Sequence, residues 1–538
     1  MIRLTKDQKV GGSSPSKRTK TRFLLTRAGF LLSLDKVAVD LEIDWPHMQA
    51  HTNYLLKQVR VVRLKGSDVD AIDVRIAHGL VVETGLGLSP NPGEQVIDGE
   101  GRWVIPGLWD QHVHMGLWSE SSSRLDLSSA LEASEVLELV KQQVVSGAEV
   151  IIGAGFRKST WTSPAGTREL DEVTGDIPTV LISGDVHCGW LNSAAYKALG
   201  LSVYPELMEE TPWFELMPRI PELEAGSGSV YDRYTSAIKA AHAQGIVGIR
   251  DYEFADDYDF WPKFVAAGAP KLRVKVAVYP HLLDKALADG VKTGTQLAPL
   301  VEMGSLKMIS DGSLGTMTAY CCEPYGTSES HPYGKQNYKL PEMIELLSKA
   351  KAGGLEISLH TIGDAAGTDA IDAFEATGAK GRIEHAQLLK VEDVHRMGRL
   401  GIGASVQPLH LVDDREMTFK HWPDRQDRCY LFGTMLRSGV PLTLGSDAPV
   451  APIDPWGAIQ AAVLRAREGD EPWNPAEVLT VGEALFASVD FQPPVGVGSR
   501  ADLVLLDHDP HMASLSNVGV SLTMIDGTVV FDARNDLA

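Results

Sequence analysis

The sequence predicts an α/β protein: a (β/α)8 TIM barrel with a discontinuous β-sandwich domain, formed by the two ends of the chain, and an insertion after barrel strand 1. Three observations predict this fold. Apolar runs alternate with helix-like segments through the middle of the chain, short alternating strands occur at both ends, and a long interval follows the first apolar run. At 538 residues the chain is long enough for a barrel and a smaller domain.

Eight apolar runs in the middle of the chain end in polar residues, as the strands of a parallel barrel do. They cover residues 109–114, 246–253, 273–280, 305–312, 357–364, 382–387, 403–408 and 442–447. Between most of them lie helix-like segments such as 340–354, in which apolar residues recur at helical spacing before Gly-Gly. Eight strands with intervening helices predict the barrel.

The two ends of the chain share a texture of short strands separated by Gly and Asp turns. We therefore expect residues 48–105 and 498–538 to pair in one β-sandwich domain, and residues 106–497 to form the barrel. Residues 117–228 are the insertion after strand 1. Because functional residues of this fold lie at the C-terminal ends of the strands, the insertion is expected to cap the site as a lid.

The first 47 residues differ in composition from the rest, being rich in Lys, Arg and Ser and poor in acids. Three interpretations stay open: a leader or misassigned start, a targeting segment, or a segment docked on the fold. Met48 is the alternative start that the first interpretation predicts.

Composition excludes several classes of partner. A net charge of -21 argues against nucleic acid, which is bound by clustered Lys and Arg. No run approaches the roughly 18 apolar residues of a membrane span, so no membrane is expected. The four cysteines show no C-x-x-C spacing, which favours reduced thiols and a cytoplasmic location. The expected partner is a small-molecule substrate, and a homo-oligomer is compatible with this composition.

The predicted strand ends carry side chains that bind metal ions. His112 and His114 are separated by one residue, so in a strand they face the same side. The other candidates are Lys307, His360, His385 and Asp447, one from each of four further strand ends. Taken singly, each has a structural alternative, such as a core histidine, a snorkelling lysine or a capping aspartate.

Together these six candidates suit two divalent metal ions, for which zinc is the first choice. A protonated lysine among them would repel the ions. Lys307 therefore has its pKa depressed by burial, or it has reacted with carbon dioxide to form a bridging carbamate.

The chain resembles the amidohydrolase superfamily, and within it the family 3 branch of N-substituted formamide deformylase-like metal-dependent hydrolases. The matching stretches are "VIPGLWDQHVH", "DVHCGWLNSAAYKALG", "LKMISDGSLGTMTA", "LHTIGDAA", "RIEHAQ" and "LTLGSDAPVAPIDPW". The resemblance implies that one metal is held by His112, His114 and Asp447, the other by His360 and His385, with carboxylated Lys307 as the bridge. Met317 stands where the branch commonly has Arg, which leaves the substrate open.

The predicted reaction is hydrolysis of an amide-type C–N bond in an N-acyl or N-formyl amine by a metal-bound hydroxide. Asp447 would serve as general base and then general acid, and His187 of the insertion as a hydrogen-bond donor to the substrate. Asp311 and Asp364 either orient ligands or cap loops. Trp190 and other aromatic residues of the insertion either contact an apolar substrate or form core.

Other reactions are compatible with the same barrel. They are hydrolysis of a cyclic amide, of a carbamate or an ester, and deamination of a ring carbon. The stretch "LHTIGD" lacks the Glu that deaminases of this barrel usually place just after the strand-five histidine. A metal-binding protein without turnover is the alternative from another class.

Overall fold

The structure, a computed structural model, describes residues 52–122, 124–156, 158, 161, 165–183, 188–223, 229–254, 256–325, 331–467, 469–512 and 514–534. The first 47 residues and Met48 lie outside the described residues, so the three interpretations of that segment stay open. In chain order, the N-terminal strands are β1 (Tyr54–Arg63), β2 (Gly66–Ser67), β3 (Ile72–Ala77), β4 (Leu80–Gly85), β5 (Gln95–Asp98) and β6 (Trp103–Pro106).

The first barrel strand and the insertion follow. Their elements are β7 (Leu108–Val113), α1 (Met115–Ser122), β8 (Leu125–Asp126), α2 (Ala133–Val145), β9 (Ile151–Phe156), α3 (Thr167–Thr174), β10 (Thr179–Ser183), β11 (Cys188–Leu191), α4 (Ser193–Ala198), β12 (Met208–Glu209) and α5 (Glu210–Leu216).

The rest of the barrel alternates strands and helices. Its elements are α6 (Val230–Ala243), β13 (Ile246–Asp251), α7 (Asp257–Ala266), β14 (Arg273–Val278), α8 (Pro280–Ala288), β15 (Gln296–Ala298), β16 (Val301–Ile309), α9 (Leu340–Gly353), β17 (Glu356–Thr361), α10 (Asp364–Thr377), β18 (Gly381–His385), α11 (Val391–Leu400), β19 (Gly403–Val406), α12 (Pro408–Asp413), α13 (Arg415–His421), α14 (Phe432–Arg437), β20 (Leu442–Leu444), α15 (Pro455–Leu464) and α16 (Val481–Ala487). The chain ends with β21 (Leu503–Leu506), β22 (Val520–Ile525) and β23 (Thr528–Asp532).

The predicted (β/α)8 barrel is confirmed. Eight strands lie in the order β20-β19-β18-β17-β16-β14-β13-β7, and every pair along this path is parallel. The sheet closes beyond the end of β20, where the Asp447 amide donates to the His112 carbonyl at 2.7 Å. A side chain at Gly445 would collide with the His112 amide nitrogen, so glycine permits this close approach.

The two ends of the chain form one β-domain, as predicted. β1 is irregular at Gln58, whose φ is 54°. It pairs with β3 on both sides of this residue, with β5 before it and with β6 after it. β6 pairs in turn with C-terminal strand β21, so the sheet continues through β22 to β23. Apolar residues of both segments share one core, which includes Leu56, Val104 and Leu503.

The insertion has its own five-stranded sheet, in the order β12-β11-β10-β9-β8. Alternate residues of its central strand β10 enter two different cores: Leu181 packs on one face, and Val180 and Ile182 on the other. This alternation is what a strand buried on both faces requires. Among the described helices, none is long and apolar enough to cross a membrane.

Candidate metal centre at the barrel mouth

The C-terminal ends of the barrel strands bring all six predicted ligands together. His112 belongs to β7, Lys307 to β16, His360 to β17 and His385 to β18. His114 and Asp447 lie just beyond the ends of β7 and β20. Both His385 and Asp447 have a left-handed backbone, with φ of 68° and 61°. Such strain in residues other than glycine is concentrated at functional sites.

Asp447 lies at the centre of the cluster. Its Oδ1 is 3.3 Å from the Nε2 atoms of both His112 and His114. The donor atoms of His112, His385 and Asp447 all lie within 4.8 Å of one another, a spacing that could hold a metal ion. The ring centroids of His360 and His385 are 4.4 Å apart, so the second predicted ligand pair adjoins the first.

Burial keeps the imidazoles neutral. It lowers the pKa of His112 to about 4 and that of His360 to about 3, with the charge of Lys307 adding to both shifts. Burial likewise lowers the pKa of His385 well below its usual value. A neutral imidazole keeps a lone pair free for a metal ion, so these side chains are in the state that coordination needs.

Asp447, unlike the histidines, is held in its charged form. Burial alone would raise its pKa, but the surrounding imidazoles, chiefly His112 and His114, outweigh burial and hold the pKa well below the usual carboxyl value. The side chain is therefore an anion at the centre of the cluster. An anionic oxygen and neutral imidazoles are the donors that zinc and similar divalent ions prefer.

Lys307 lies inside the barrel with 1% of its surface exposed. Its Nζ donates to His112 Nε2 at 3.2 Å and lies 4.1 Å from the centre of the Tyr252 ring. Burial lowers its pKa to about 8, against the opposing charges of Glu384 and Asp447. Burial therefore depresses the pKa of Lys307, as the first of the two sequence-based alternatives requires, and the carbamate stays a prediction.

Glu384 and Tyr252 are site residues that the sequence analysis missed. Glu384 is fully buried, and its Oε2 accepts a hydrogen bond from His112 Nδ1 at 2.9 Å. Its Oε1 accepts from the Tyr252 hydroxyl at 2.7 Å. The signal was the acid immediately before His385 in "RIEHAQ". Neighbours in a regular strand face opposite sides, but the left-handed turn at His385 lets both residues contact His112.

The contact with Glu384 fixes which nitrogen of His112 carries hydrogen. Because the carboxylate can only accept, Nδ1 must donate and Nε2 must keep its lone pair. That lone pair faces the anionic Asp447 Oδ1 at 3.3 Å. Two acceptors at this distance repel unless a cation or a donor lies with them. Lys307 Nζ donates to the same Nε2 at 3.2 Å, and a divalent metal ion would serve both acceptors in the same way.

Other ring nitrogens also fit a metal. Within the described part of the chain, Nδ1 of His114, Nδ1 of His385 and Nε2 of His410 are buried without a hydrogen-bond partner. Buried polar atoms normally have hydrogen-bond partners, so the absence of a partner needs an explanation, such as a bound ion. His410 was not predicted; it follows strand β19, its Nε2 is 3.9 Å from Asp447 Oδ2, and its ring stacks on that of His385.

Asp311 contacts the site and also organises loops. Its Oδ1 lies 3.7 Å from His360 Nε2. Its carboxylate accepts hydrogen bonds from the amides of Tyr320, Ile362 and Gly363, which join the loops after β16 and β17. Both predicted roles, orienting a ligand and capping a loop, are therefore compatible with its position.

The other predicted residues lie elsewhere. Asp364 accepts from the Cys322 amide and pairs with Arg428 at 3.0 Å, which are the contacts of a loop-capping residue. Trp190 is fully buried in the core of the insertion and donates to the Gly166 carbonyl, so its placement gives no support to a substrate contact. His187 lies outside the described residues, and its role stays a prediction.

Comparisons with known proteins agree with this site. A family model described as "Amidohydrolase family" matches residues 95–488. The chain is similar to Protein LONG AFTER FAR-RED 3 of Arabidopsis thaliana, with 28% identity over 472 residues (79% of this chain, 78% of that protein). It is also similar to N-substituted formamide deformylase of Arthrobacter pascens, with 25% identity over 534 residues (88% and 97%).

Solved structures show the same fold. An uncharacterized metal-dependent hydrolase from Pyrococcus furiosus has a TM-score of 0.69 and 25% identity, covering 85% of this chain and 100% of that one. Its counterpart from Pyrococcus horikoshii has a TM-score of 0.71 and 24% identity, covering 87% and 100%.

Proposed function

The chain belongs to the amidohydrolase family, and on that premise we propose that it hydrolyses an amide-type C–N bond in an N-acyl or N-formyl amine. One observation carries the proposal: the lone pair of His112 Nε2 and the anionic Asp447 Oδ1 face each other at 3.3 Å among buried, neutral imidazoles. A site of this kind is suited to divalent metal ions and to hydrolysis.

The ligand assignment follows the sequence. His112, His114 and Asp447 would hold one ion, and His360 and His385 the other, with zinc as the metal. Lys307 would add to carbon dioxide through its nitrogen and release a proton, and the resulting carbamate would supply an anionic ligand in place of the ammonium, as the bridge that the resemblance implies. The depressed pKa of the buried Lys307 supports this assignment, because only the neutral amine reacts in this way.

Bound divalent ions would polarise the substrate carbonyl and lower the pKa of the attacking water toward neutrality. Residues of the chain transfer the proton. The Asp447 carboxylate is anionic, so it can accept a proton from the water and then deliver it to the leaving nitrogen. His410 faces the second oxygen of Asp447 and is placed to orient it.

The choice of a C–N bond is supported by the similarity to a protein named N-substituted formamide deformylase along 97% of its length. The test is to load the purified chain with zinc and offer N-formyl amines, N-acetyl amines, a cyclic amide and a carboxylic ester. We expect two metal ions per chain and release of an amine from a formyl or acetyl amide. Asp447→Asn should abolish release, and a zinc-stripped sample should regain it with added zinc.

Two results would contradict the proposal. If elemental analysis finds no transition metal in protein produced with ample zinc, the metal assignment is wrong. If the loaded protein cleaves only the ester, or releases ammonia from a ring amidine but no amine from any amide, the reaction class is wrong.

A further inference from the structure

Aromatic rings form a row that leads outward from the metal centre. The Phe254 ring stacks on His114, a candidate ligand, with centroids 4.9 Å apart and planes 18° from parallel. Phe254 also stacks on Tyr279 at 5.4 Å, and Tyr279 on His281 at 6.4 Å. The ends of the first three barrel strands thus contribute one continuous row of flat rings.

Phe254 is the exposed member of this row next to the site. It is 51% exposed, whereas His114 and Tyr279 are each 8% exposed. Its position is fixed as well: its amide donates to the Glu253 carboxylate at 2.8 Å, and the Tyr279 hydroxyl donates to the Tyr252 carbonyl at 2.8 Å. A large apolar ring held open to solvent beside a buried polar cluster is costly for folding, and such rings commonly line ligand sites.

The neighbours of the ring define what it can bind. Because His114 and Tyr279 both stack on Phe254, the ring offers a further aromatic group its exposed edge. Edge-to-face aromatic pairs also gain energy beyond the area that they bury. Only one ring, that of His114, separates Phe254 from Asp447. A substrate whose reacting carbonyl lies at the metal centre would therefore place one of its substituents near Phe254.

We propose that Phe254 is the specificity-determining residue of the site and binds an aryl substituent of the substrate. This inference rests on the proposed function. The contact lies away from the bond that is broken, so it should bind the ground state and the transition state equally. Its loss should then raise KM and leave kcat unchanged.

The experiment compares amides that share one formyl or acetyl group and differ in the amine: phenylmethyl, cyclohexylmethyl or hydroxyethyl. A second set carries the phenyl group on the acyl side. For Phe254→Ala we expect KM for the preferred phenyl amide to rise about tenfold with kcat kept. Phe254→Leu retains an apolar side chain of similar size, so its KM should rise less. Phe491→Ala is the control, because Phe491 is 45% exposed but packs on Phe486, outside the site.

A binding measurement separates this inference from the proposed function. Calorimetry on the zinc-loaded protein with phenylmethylamine and cyclohexylmethylamine needs no turnover. Tighter binding of the phenyl compound, lost in Phe254→Ala, supports the inference even if no amide is cleaved. If amides are cleaved but the phenyl, cyclohexyl and hydroxyethyl compounds share one KM in wild type and in Phe254→Ala, Phe254 does not determine specificity.

Discussion

At the scale of single residues, the tautomer of His112 is set by Glu384, which binds Nδ1 and leaves Nε2 free to coordinate a metal ion. Glu384 takes the Nδ1 hydrogen and the Tyr252 hydroxyl holds Glu384, so Nε2 is presented toward Asp447. Carboxylates that orient a ligand histidine in this way also raise its basicity. The pKa of Glu384 is accordingly low: burial alone would raise it, but the His112 contact and the charge of Lys307 prevail.

Replacing Glu384 should therefore weaken metal binding. We expect Glu384→Gln to lower zinc affinity about 10- to 100-fold, because an amide binds His112 more weakly and can present a donor instead. Competition with a chromogenic chelator measures the affinity without any substrate. The matched control is Glu477→Gln. Glu477 is also buried, but its carboxylate accepts hydrogen bonds from Thr434 and not from a candidate ligand, so this variant should leave the affinity unchanged. Equal zinc affinities in the two variants would show that Glu384 does not support metal binding.

Lys307 provides the second test at this scale. Lys307→Ala should lose at least one metal ion and nearly all turnover, because the proposed carbamate bridge could not form, and short carboxylic acids in the buffer should restore part of both. The control is Lys275→Ala. Lys275 lies on neighbouring barrel strand β14 and pairs with Asp490 at 2.7 Å, so it should keep both ions. Two retained ions and near-normal rates in Lys307→Ala would make Lys307 an ordinary barrel lysine.

The sequence predicted where the candidate ligands lie better than it predicted the residues that hold them. His112, Lys307 and His385 could be found because strand ends of a barrel converge whatever their separation in sequence. Tyr252 and Glu384 could not, because their hydrogen bonds depend on where a strand stops being regular. His410 lies beyond the end of β19, in helix α12, where strand periodicity gives no direction.

At the scale of elements, the eight barrel strands were predictable because each is an apolar run bounded by turn residues. The predicted run 273–280 corresponds to β14, Arg273–Val278. The boundaries were least accurate for the fourth strand, where residues 305–312 were predicted and β16 is Val301–Ile309. At the last strand, residues 442–447 were predicted and β20 is Leu442–Leu444. Gly445 and the left-handed Asp447 turn the chain toward β7, and such closure depends on a partner strand that local sequence does not specify.

Acids at the end of β13 connect it to two helices. Asp251 accepts from the Met115 amide and Glu253 from the Leu117 amide, at the start of α1. Asp257 opens α7 beside them and is 3% exposed. Burial raises the pKa of Asp257 far above its ordinary value of 3.8, and the charges of Asp251 and Glu253 raise it further. Asp257 is therefore protonated at neutral pH.

This raised pKa has a definite sign for stability. Above pH 3.8 the unfolded chain loses the Asp257 proton while the folded protein keeps it, so stability is full below that pH and falls as pH rises through neutrality. Asp257→Asn removes the carboxyl group that binds a proton when the chain folds. Between about pH 6 and pH 9 its free energy of unfolding should fall less steeply than that of wild type, by up to about 1.4 kcal/mol per pH unit.

Urea unfolding at several pH values measures this difference. Asp259→Asn is the control, since that side chain lies in the same first turn but is 52% exposed and pairs with Lys285. Parallel pH profiles for wild type and Asp257→Asn would show that Asp257 is ionised in the folded protein.

At the scale of the whole molecule, the barrel and the discontinuous β-domain are joined by a buried ion pair. Arg273, the first residue of β14, makes two hydrogen bonds to Asp502, at 2.6 and 3.0 Å, just before C-terminal strand β21. Asp502 is fully buried and also accepts from the Asp526 amide. Pairing of the chain ends was predictable from their shared texture, but this link was not, because its two residues are 229 positions apart.

Breaking the link should cost more than losing an ordinary ion pair. Arg273→Ala leaves the Asp502 carboxylate buried with its main partner gone, for which we expect a loss of about 3 kcal/mol in the free energy of unfolding. Arg63→Ala, which breaks a pair whose side chains are 46% and 40% exposed, should cost under about 1 kcal/mol. Urea unfolding of both variants, followed by far-UV circular dichroism, provides the comparison.

The double variant Arg273→Ala with Asp502→Ala distinguishes the burial of a poorly paired charge from a general loss of packing. Without Arg273, the Asp502 carboxylate keeps only Arg500, at 3.6 Å, as an ion-pair partner. If this buried carboxylate causes the loss, removing it as well should recover part of the stability, so the double variant should be more stable than Arg273→Ala alone. If the two substitutions simply add, or if Arg273→Ala costs no more than Arg63→Ala, the pair does not hold the domains together. The junction would then depend on the apolar contacts that Val504 and Leu506 make with the barrel core.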